Sequence, residues 1–84
     1  MHSYNIQTRT LPPTETKGKR VHVDSAAGLS ATHPWDYAYD APEVHENAAR
    51  KVAEAENPGE QITLQRIDSG TMGYTFRAIV GEAE

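Results

Sequence analysis

The sequence offers binding chemistry most clearly in one short basic loop. Residues 12–20 hold two prolines, two hydroxyl side chains, a glycine and three cations, in the order Pro-Pro-Thr-Glu-Thr-Lys-Gly-Lys-Arg. Hydroxyl groups and cations at this spacing can supply hydrogen bonds and charge to phosphates or to an acidic protein surface. Together with a cation on the preceding segment, the residues predicted to contact a partner here are Arg9, Thr14, Thr16, Lys17, Lys19 and Arg20.

A second candidate for binding is the aromatic segment Trp35-Asp36-Tyr37-Ala38-Tyr39, which holds three of the six aromatic residues. Trp and Tyr side chains present a large area at low entropic cost and often anchor interfaces. We predict that Trp35 and Tyr37 anchor a partner. The alternative for Trp35 is that it covers the open end of a small core.

The titratable residues show no pattern typical of catalysis or metal binding. The chain has no Cys, which excludes disulfides, thiolate nucleophiles and Cys-containing zinc sites. The four histidines, His2, His22, His33 and His45, lack a recognised ligand spacing. No phosphate-binding loop, nucleophile elbow or dinucleotide fingerprint is present. We therefore expect no enzyme activity, no catalytic residues, no metal and no cofactor, and we expect backbone groups to hydrogen-bond the ring of His45.

Alternating patterns place the basic loop between two strands. Residues 4–11 alternate, with Tyr4, Ile6, Thr8 and Thr10 on one side and the other four residues on the opposite side. Residues 19–24 alternate again, with Val21 and Val23 inward. The two prolines between them cannot donate to a sheet ladder, which favours a projecting loop. A turn over residues 25–30 leads to a short third strand, Ala31 to Trp35, interrupted by Pro34.

One helix is predicted from Asp40 to Asn57. Asp40 is a suitable N-cap, and Pro42 lies in the first turn, where its missing N–H costs little. The apolar stripe of this helix consists of Val44, Ala48, Ala49, Val52, Ala53 and Ala55. Because most of the stripe is Ala, the helix can pack closely on a sheet.

Two more strands, residues 61–68 and 74–80, are predicted on either side of a turn at 69–73. The fold class is therefore α+β, a small antiparallel sheet in the order β-β-(β)-α-β-β with one amphipathic helix packed on one face. A chain of 84 residues is expected to form a single domain, residues 1–84, with 81–84 as a frayed tail.

Charge is distributed unevenly around Trp35. The net charge is −4; four Lys or Arg and two Asp or Glu residues precede Trp35, whereas four and ten follow it. Such asymmetry can steer a charged partner. The sequence has no apolar run of about 20 residues that could span a bilayer and no signal peptide, so we expect a soluble cytoplasmic protein without a membrane partner.

Several segments resemble a family of small uncharacterised proteins of phages, plasmids and bacterial genomes. Residues 13–20 match a P-T-x-T-(K/R)-G-x-R loop, residues 35–38 match (W/Y)-D-Y-A, and residues 45–49 match an H-x-x-A-A helix. The resemblance covers about residues 8–77 and includes Gly73-Tyr74-Thr75-Phe76. It implies no activity, but it implies a mobile-element context, in which small acidic proteins often block host defence complexes such as CRISPR effectors by stoichiometric binding.

We therefore expect a non-enzymatic protein-binding module of phage or mobile-element type that inhibits a host defence complex, as anti-CRISPR proteins do. The alternative is a nucleic-acid-binding protein that uses the basic loop Lys17–Arg20. A third hypothesis is a domain that forms a homodimer through an exposed sheet.

Overall fold

The computed structural model describes residues 2–70 and 73–81, which form five strands and one helix. In chain order these are β1 (His2–Leu11), β2 (Arg20–Ser25), β3 (Ser30–Pro34), α1 (Ala41–Glu56), β4 (Ile62–Ser69) and β5 (Gly73–Val80). The strands form one antiparallel sheet in the order β3-β2-β1-β5-β4. The helix packs across one face and contacts all five strands, which confirms the predicted α+β fold. No helix in the described part of the chain is long and apolar enough to cross a membrane.

The core lies between the helix and the alternating inward positions of the sheet. The sheet contributes Ile6, Val21, Val23, Phe76, Ala78 and Val80, and the helix contributes Val44, Ala48, Ala49, Val52 and Ala53. Because alanine methyl groups are short, the helix approaches the sheet closely enough to bury them. The prediction was wrong for Ala55, which is exposed in the last helical turn, because the buried face is centred near His45 and Val52.

Hydrogen bonds at the helix ends agree with the predicted boundaries. Asp40 occupies the N-cap position, and its carbonyl accepts the N–H of Val44 at 3.0 Å, although its side chain makes no capping hydrogen bond. At the other end the backbone N–H and the side-chain Nδ2 of Asn57 both donate to the carbonyl of Ala53, each at 3.0 Å. Asn57 therefore satisfies a terminal carbonyl that the helix leaves without a partner.

Parts of the predicted last turn and tail lie outside the described residues. These are residues 71–72 of the turn and 82–84 of the tail. Gly81 is described, and its N–H donates to the carbonyl of Gln61 at 3.1 Å, which extends the pairing of β4 and β5 by one residue pair.

The face of the sheet opposite the helix is polar, and no described element covers it. We call it the open face. The central part of this face is formed by Asn5, Gln7, Arg9, Thr75 and Arg77, which alternate with the buried residues of β1 and β5. Such alternation is typical of an antiparallel sheet with one solvated face.

Candidate binding site

The basic loop projects from the end of the sheet and is shaped by its own hydrogen bonds. The backbone N–H of Thr14 donates to the carbonyl of Lys17 at 2.7 Å, and the N–H of Lys17 donates to Thr14 Oγ1 at 3.1 Å. Thr14 therefore closes the turn, whereas Thr16 and the Lys17 side chain are exposed. The Arg20 Nε–H donates to the carbonyl of Gly18 at 3.2 Å, which holds that guanidinium beside the loop.

The pairing of β2 with β3 brings the loop against the aromatic segment. The N–H of Trp35 donates to the carbonyl of Lys19 at 3.0 Å. The Lys19 ammonium lies 4.0 Å from the centroid of the Trp35 ring, within the range of a cation–π interaction. Nearby in sequence, the Tyr37 side chain is 78% exposed. We call the set Lys17, Lys19, Arg20, Trp35 and Tyr37 the basic-aromatic surface.

Trp35 also packs against the core, in agreement with the covering role that the sequence left open for it. Its ring is half-buried and meets His45 edge to face, with ring centroids 5.7 Å apart. Trp35 therefore connects the surface to the core. Tyr37, by contrast, is mostly exposed and does not belong to the core formed by the described residues.

His45 is buried beneath Trp35 in a polar cluster with two threonines of β1. Its Nδ1 lies 2.7 Å from Thr8 Oγ1 and its Nε2 lies 3.0 Å from Thr10 Oγ1. Because the Thr8 hydroxyl donates to the carbonyl of Tyr74 at 3.3 Å, it accepts from Nδ1–H, and Nε2 then accepts from the Thr10 hydroxyl. Burial, and secondarily the charge of Lys19, hold the pKa of His45 below its ordinary value.

The prediction of backbone hydrogen bonds to His45 was therefore wrong. Its partners are side-chain hydroxyls, because β1 directs two threonines toward the helix at that point. The sequence held a signal for this cluster, since Thr8 and Thr10 share the side of β1 that carries Ile6, and hydroxyl groups buried on that side need a polar partner.

Arg9 does not join the basic-aromatic surface. It lies on the open face, where its Cα partner on β2 is His22. Trp35 and Lys19, in contrast, lie on the helix side of the sheet, next to His45. Of the eight residues predicted to bind a partner, the structure brings Lys19 and Trp35 into contact and places Lys17, Lys19 and Arg20 around one depression beside β3. Thr14 and Thr16 lie in the adjoining loop, Tyr37 is exposed two residues beyond Trp35, and Arg9 lies apart on β1.

Two depressions adjoin the edge strand β3, and His33 and Pro34 line both of them. One is nearer the open face and also includes Lys19, and the other lies toward the helix. The cleft on the open-face side has a volume of about 420 Å³ and includes Lys17, Arg20, Thr32 and Pro34 in its lining. The groove on the helix side has a volume of about 390 Å³ and includes Val21, His33, Ala48 and Lys51. The sequence did not predict these depressions, because they depend on how far the helix extends over the edge of the sheet.

His33 contributes an unsatisfied polar atom to the helix-side groove. Within the described part of the chain, its Nε2 is buried and has no hydrogen-bond partner. Burial, and secondarily the positive charge of Lys51, lower the pKa of His33. Buried polar atoms are normally hydrogen-bonded, so this nitrogen is an unusual feature of the strand that lines both depressions.

A hydroxyl–imidazole–carboxylate chain crosses β2 and β3 on the open face. His22 Nδ1 lies 2.8 Å from Thr32 Oγ1, and His22 Nε2 lies 3.2 Å from Asp24 Oδ1. The Ser30 hydroxyl donates to the same Asp24 oxygen at 2.8 Å and lowers the pKa of that carboxyl. The order of groups is that of a catalytic triad, but Asp24 and Thr32 are exposed, without the water-excluded environment in which such groups are activated. These side-chain hydrogen bonds connect β3 to β2.

Among residues 2–70 and 73–81, no group of three His, Cys, Asp or Glu side chains is arranged to hold a metal ion. Comparison of the chain with protein-family models, with curated proteins and with solved structures finds no match. The resemblance to small phage and plasmid proteins therefore stays a prediction.

Proposed function

We propose that the protein is a non-enzymatic binding module whose basic-aromatic surface contacts an acidic region of a protein partner. The observation that carries the proposal is the position of the Lys19 ammonium over the Trp35 ring, 4.0 Å from its centroid. This contact joins two separate segments of the chain, one that carries the exposed Lys17 and one that carries the exposed Tyr37. Tyrosine, tryptophan and arginine, which these two segments contain, are enriched at protein interfaces.

The state of Trp35 favours a protein partner over a nucleic acid. Proteins that bind single-stranded nucleic acid stack bases on free aromatic faces beside basic residues. Here one face of the Trp35 ring is covered by Lys19, and the ring packs on His45 inside the core. The aromatic residue nearest to the basic loop is therefore already occupied by contacts within the chain.

The test is affinity capture with the tagged protein from a host lysate, with and without nuclease. The variant Lys17→Ala/Arg20→Ala/Tyr37→Ala removes the exposed parts of the surface and keeps the Lys19–Trp35 contact. Arg66→Ala/Arg77→Ala removes the same charge from β4 and β5 and serves as the matched control. Circular dichroism and thermal unfolding establish that both variants are folded.

We expect a stoichiometric protein partner that resists nuclease, is lost with the triple variant and is kept by the control. Enrichment that disappears with nuclease would instead support the nucleic-acid alternative, and binding to that target would then weaken steeply with salt. Retention of the partner by the triple variant would refute the proposal. That the partner is a host defence complex such as a CRISPR effector remains part of the proposal, and the identity of the captured protein tests it.

A further inference from the structure

We propose that the partner contributes an extended segment that pairs with the outer edge of β3 as a sixth strand, with acidic side chains toward the open face and small uncharged side chains toward the helix. This inference rests on the proposed function and specifies how the partner is bound. In such complexes main-chain hydrogen bonds give affinity, and pockets for alternate side chains give specificity.

The alternation of hydrogen bonds between β2 and β3 shows which N–H and C=O groups of β3 point away from β2. The N–H of Ser25 donates to the carbonyl of Leu29 at one end, and the N–H of Trp35 donates to Lys19 at the other. In an antiparallel pair, bonded and non-bonded residue pairs alternate. With the register that joins Thr32 to His22, the N–H and C=O groups of Ser30 and Thr32 therefore point away from β2.

Pro34 follows Thr32 by two residues, so its backbone groups also point away from β2. Because its missing N–H would face away from the sheet, the proline costs no hydrogen bond to β2. Its carbonyl still faces outward. The edge from Ser30 to Pro34 can thus donate twice and accept three times along an added strand.

The opposite edge of the sheet, strand β4, is less open to such pairing. The Arg50 Nη1 donates to the carbonyl of Ile62 at 3.3 Å and so occupies the first outward acceptor. Farther along, a bulge between Arg66 and Asp68 interrupts the register. Bulges and covered backbone groups are common devices that protect sheet edges. Among the two edges, β3 is therefore the better template.

Side chains of an added strand would enter the two depressions alternately. Arg20, Thr32 and Pro34 share the open-face side, since they alternate with the inward residues of their strands. Side chains of one parity would therefore lie on the open-face side. Lys17 and Arg20 favour carboxylates near Pro34, whereas Asp24 lies opposite Ser30 at the other end of β3.

Side chains of the other parity would enter the helix-side groove. Its charged lining residues are Asp36, Arg50, Lys51 and Glu54, which give no net charge, and its apolar lining residues are Val21, Pro34, Val44 and Ala48. The buried Nε2 of His33 lies without a partner in this groove. A small apolar side chain would cover the floor, and a hydroxyl side chain could also satisfy His33.

A second copy of the chain fits this edge less well. Paired with itself, the segment Ser30–Pro34 would bring no acidic side chain to Lys17 and Arg20, because its sequence is Ser-Ala-Thr-His-Pro. Charge complementarity thus favours a partner segment over β3 of another protomer.

The probe is a synthetic peptide that alternates Glu with Val and Thr, titrated to millimolar concentration into the ¹⁵N-labelled full chain and followed by amide chemical shifts and hydrogen exchange. Its control replaces every Glu by Lys. We expect amide shifts at Ser30 to His33 and slowed exchange of the Thr32 N–H with the acidic peptide only.

Thr32→Pro removes an outward donor and the hydroxyl that contacts His22, while leaving the backbone hydrogen bonds between β2 and β3, and we expect it to weaken peptide binding at least about tenfold. Thr32→Val retains the N–H, removes only the hydroxyl, and should bind as the wild type does. Ser30→Pro supplies a second variant at the other outward donor, should Thr32→Pro fail to fold.

Absence of shifts at β3, equal binding of the Lys peptide, or unchanged binding by a folded proline variant would overturn the inference. Shifts at β3 that depend on protein concentration alone would do so as well, by indicating a second copy. These outcomes are separable from the capture experiment. A captured partner that needs Lys17, Arg20 and Tyr37 but tolerates both proline variants leaves the proposed function intact and refutes only strand addition.

Discussion

The buried imidazole of His45 predicts that acid weakens the fold within a narrow pH range. The side chain is 1% exposed, and hydroxyl groups engage both of its nitrogens. A histidine in the unfolded chain has a pKa of about 6.5, whereas burial lowers the pKa of His45 in the folded chain. Below about pH 6.5 the unfolded state therefore binds more protons than the folded state, and the free energy of unfolding falls as the pH falls.

The size of the effect follows from the buried state of a single group. A histidine whose folded pKa lies below the working pH contributes about 1.4 kcal/mol per pH unit below its unfolded pKa. Between pH 7.5 and 5.5, about one unit lies in that range, so His45 accounts for a loss of at most about 1.4 kcal/mol. A chain of 84 residues has a total stability of about 4–13 kcal/mol, so this loss is measurable.

The assay is urea unfolding at both pH values for the wild type, His45→Leu and His33→Asn. We expect His45→Leu to lose much less free energy on acidification than the wild type. The pKa of His33 is also lowered, but that side chain is only half-buried, so His33→Asn should remove a smaller share. If His45→Leu loses as much free energy as the wild type, the reasoning about the buried ring is refuted.

The core and the close approach of β1 to β5 predict three further results, all measurable by urea unfolding. Thr8→Val leaves the Nδ1–H of His45 buried without an acceptor and should cost about 1–3 kcal/mol; a change below about 0.5 kcal/mol would contradict the assigned hydrogen bond. Phe76→Ala should cost about 3–5 kcal/mol, because the ring is fully buried, and a smaller loss would indicate that the core collapses into the cavity. Gly73→Ala places a methyl group against the backbone carbonyl of Thr8 and should lower the free energy of unfolding by about 1–3 kcal/mol. The control, Gly18→Ala, adds a methyl group in open space and should change the free energy of unfolding by no more than about 0.5 kcal/mol. Equal effects of the two variants would refute the close approach of β5 to β1.

Local patterns in the sequence were sufficient to predict the elements of the fold. Alternation identified the strands β1, β2 and β5 and the residues that share each face, and the alanine-rich stripe with Pro42 and Asn57 identified the helix. These signals are local because the side-chain period of a strand or a helix is visible within a few residues. The limits of the buried helical face depend on how the helix sits on the sheet. The stripe predicted from the sequence therefore included Ala55, which is exposed, and left out His45, which is buried.

The candidate site was only partly predictable for the same reason. The binding chemistry of Lys17 and Arg20 is evident from residue type, but the stacking of Lys19 on Trp35 depends on the register of β2 with β3. The sequence also grouped Arg9 with the loop because the two are close along the chain. In an antiparallel pair, the face on which a residue lies depends on its parity, and that parity places Arg9 on the open face, away from Trp35.

The strand order gives the first strand of the chain the central position in the sheet. β1 pairs with β2 early in the chain and with β5 at its end, so that Thr8 reaches Tyr74 across 66 residues. During synthesis, β1, β2, β3 and the helix leave the ribosome while one edge of β1 is still unpaired. That edge is the longest in the sheet, with ten residues, and an unpaired edge of this kind invites wrong pairing. Folding of this protein therefore has a vulnerable interval that closes only when β5 is added, and its yield in cells should depend on how quickly the last strands follow the helix.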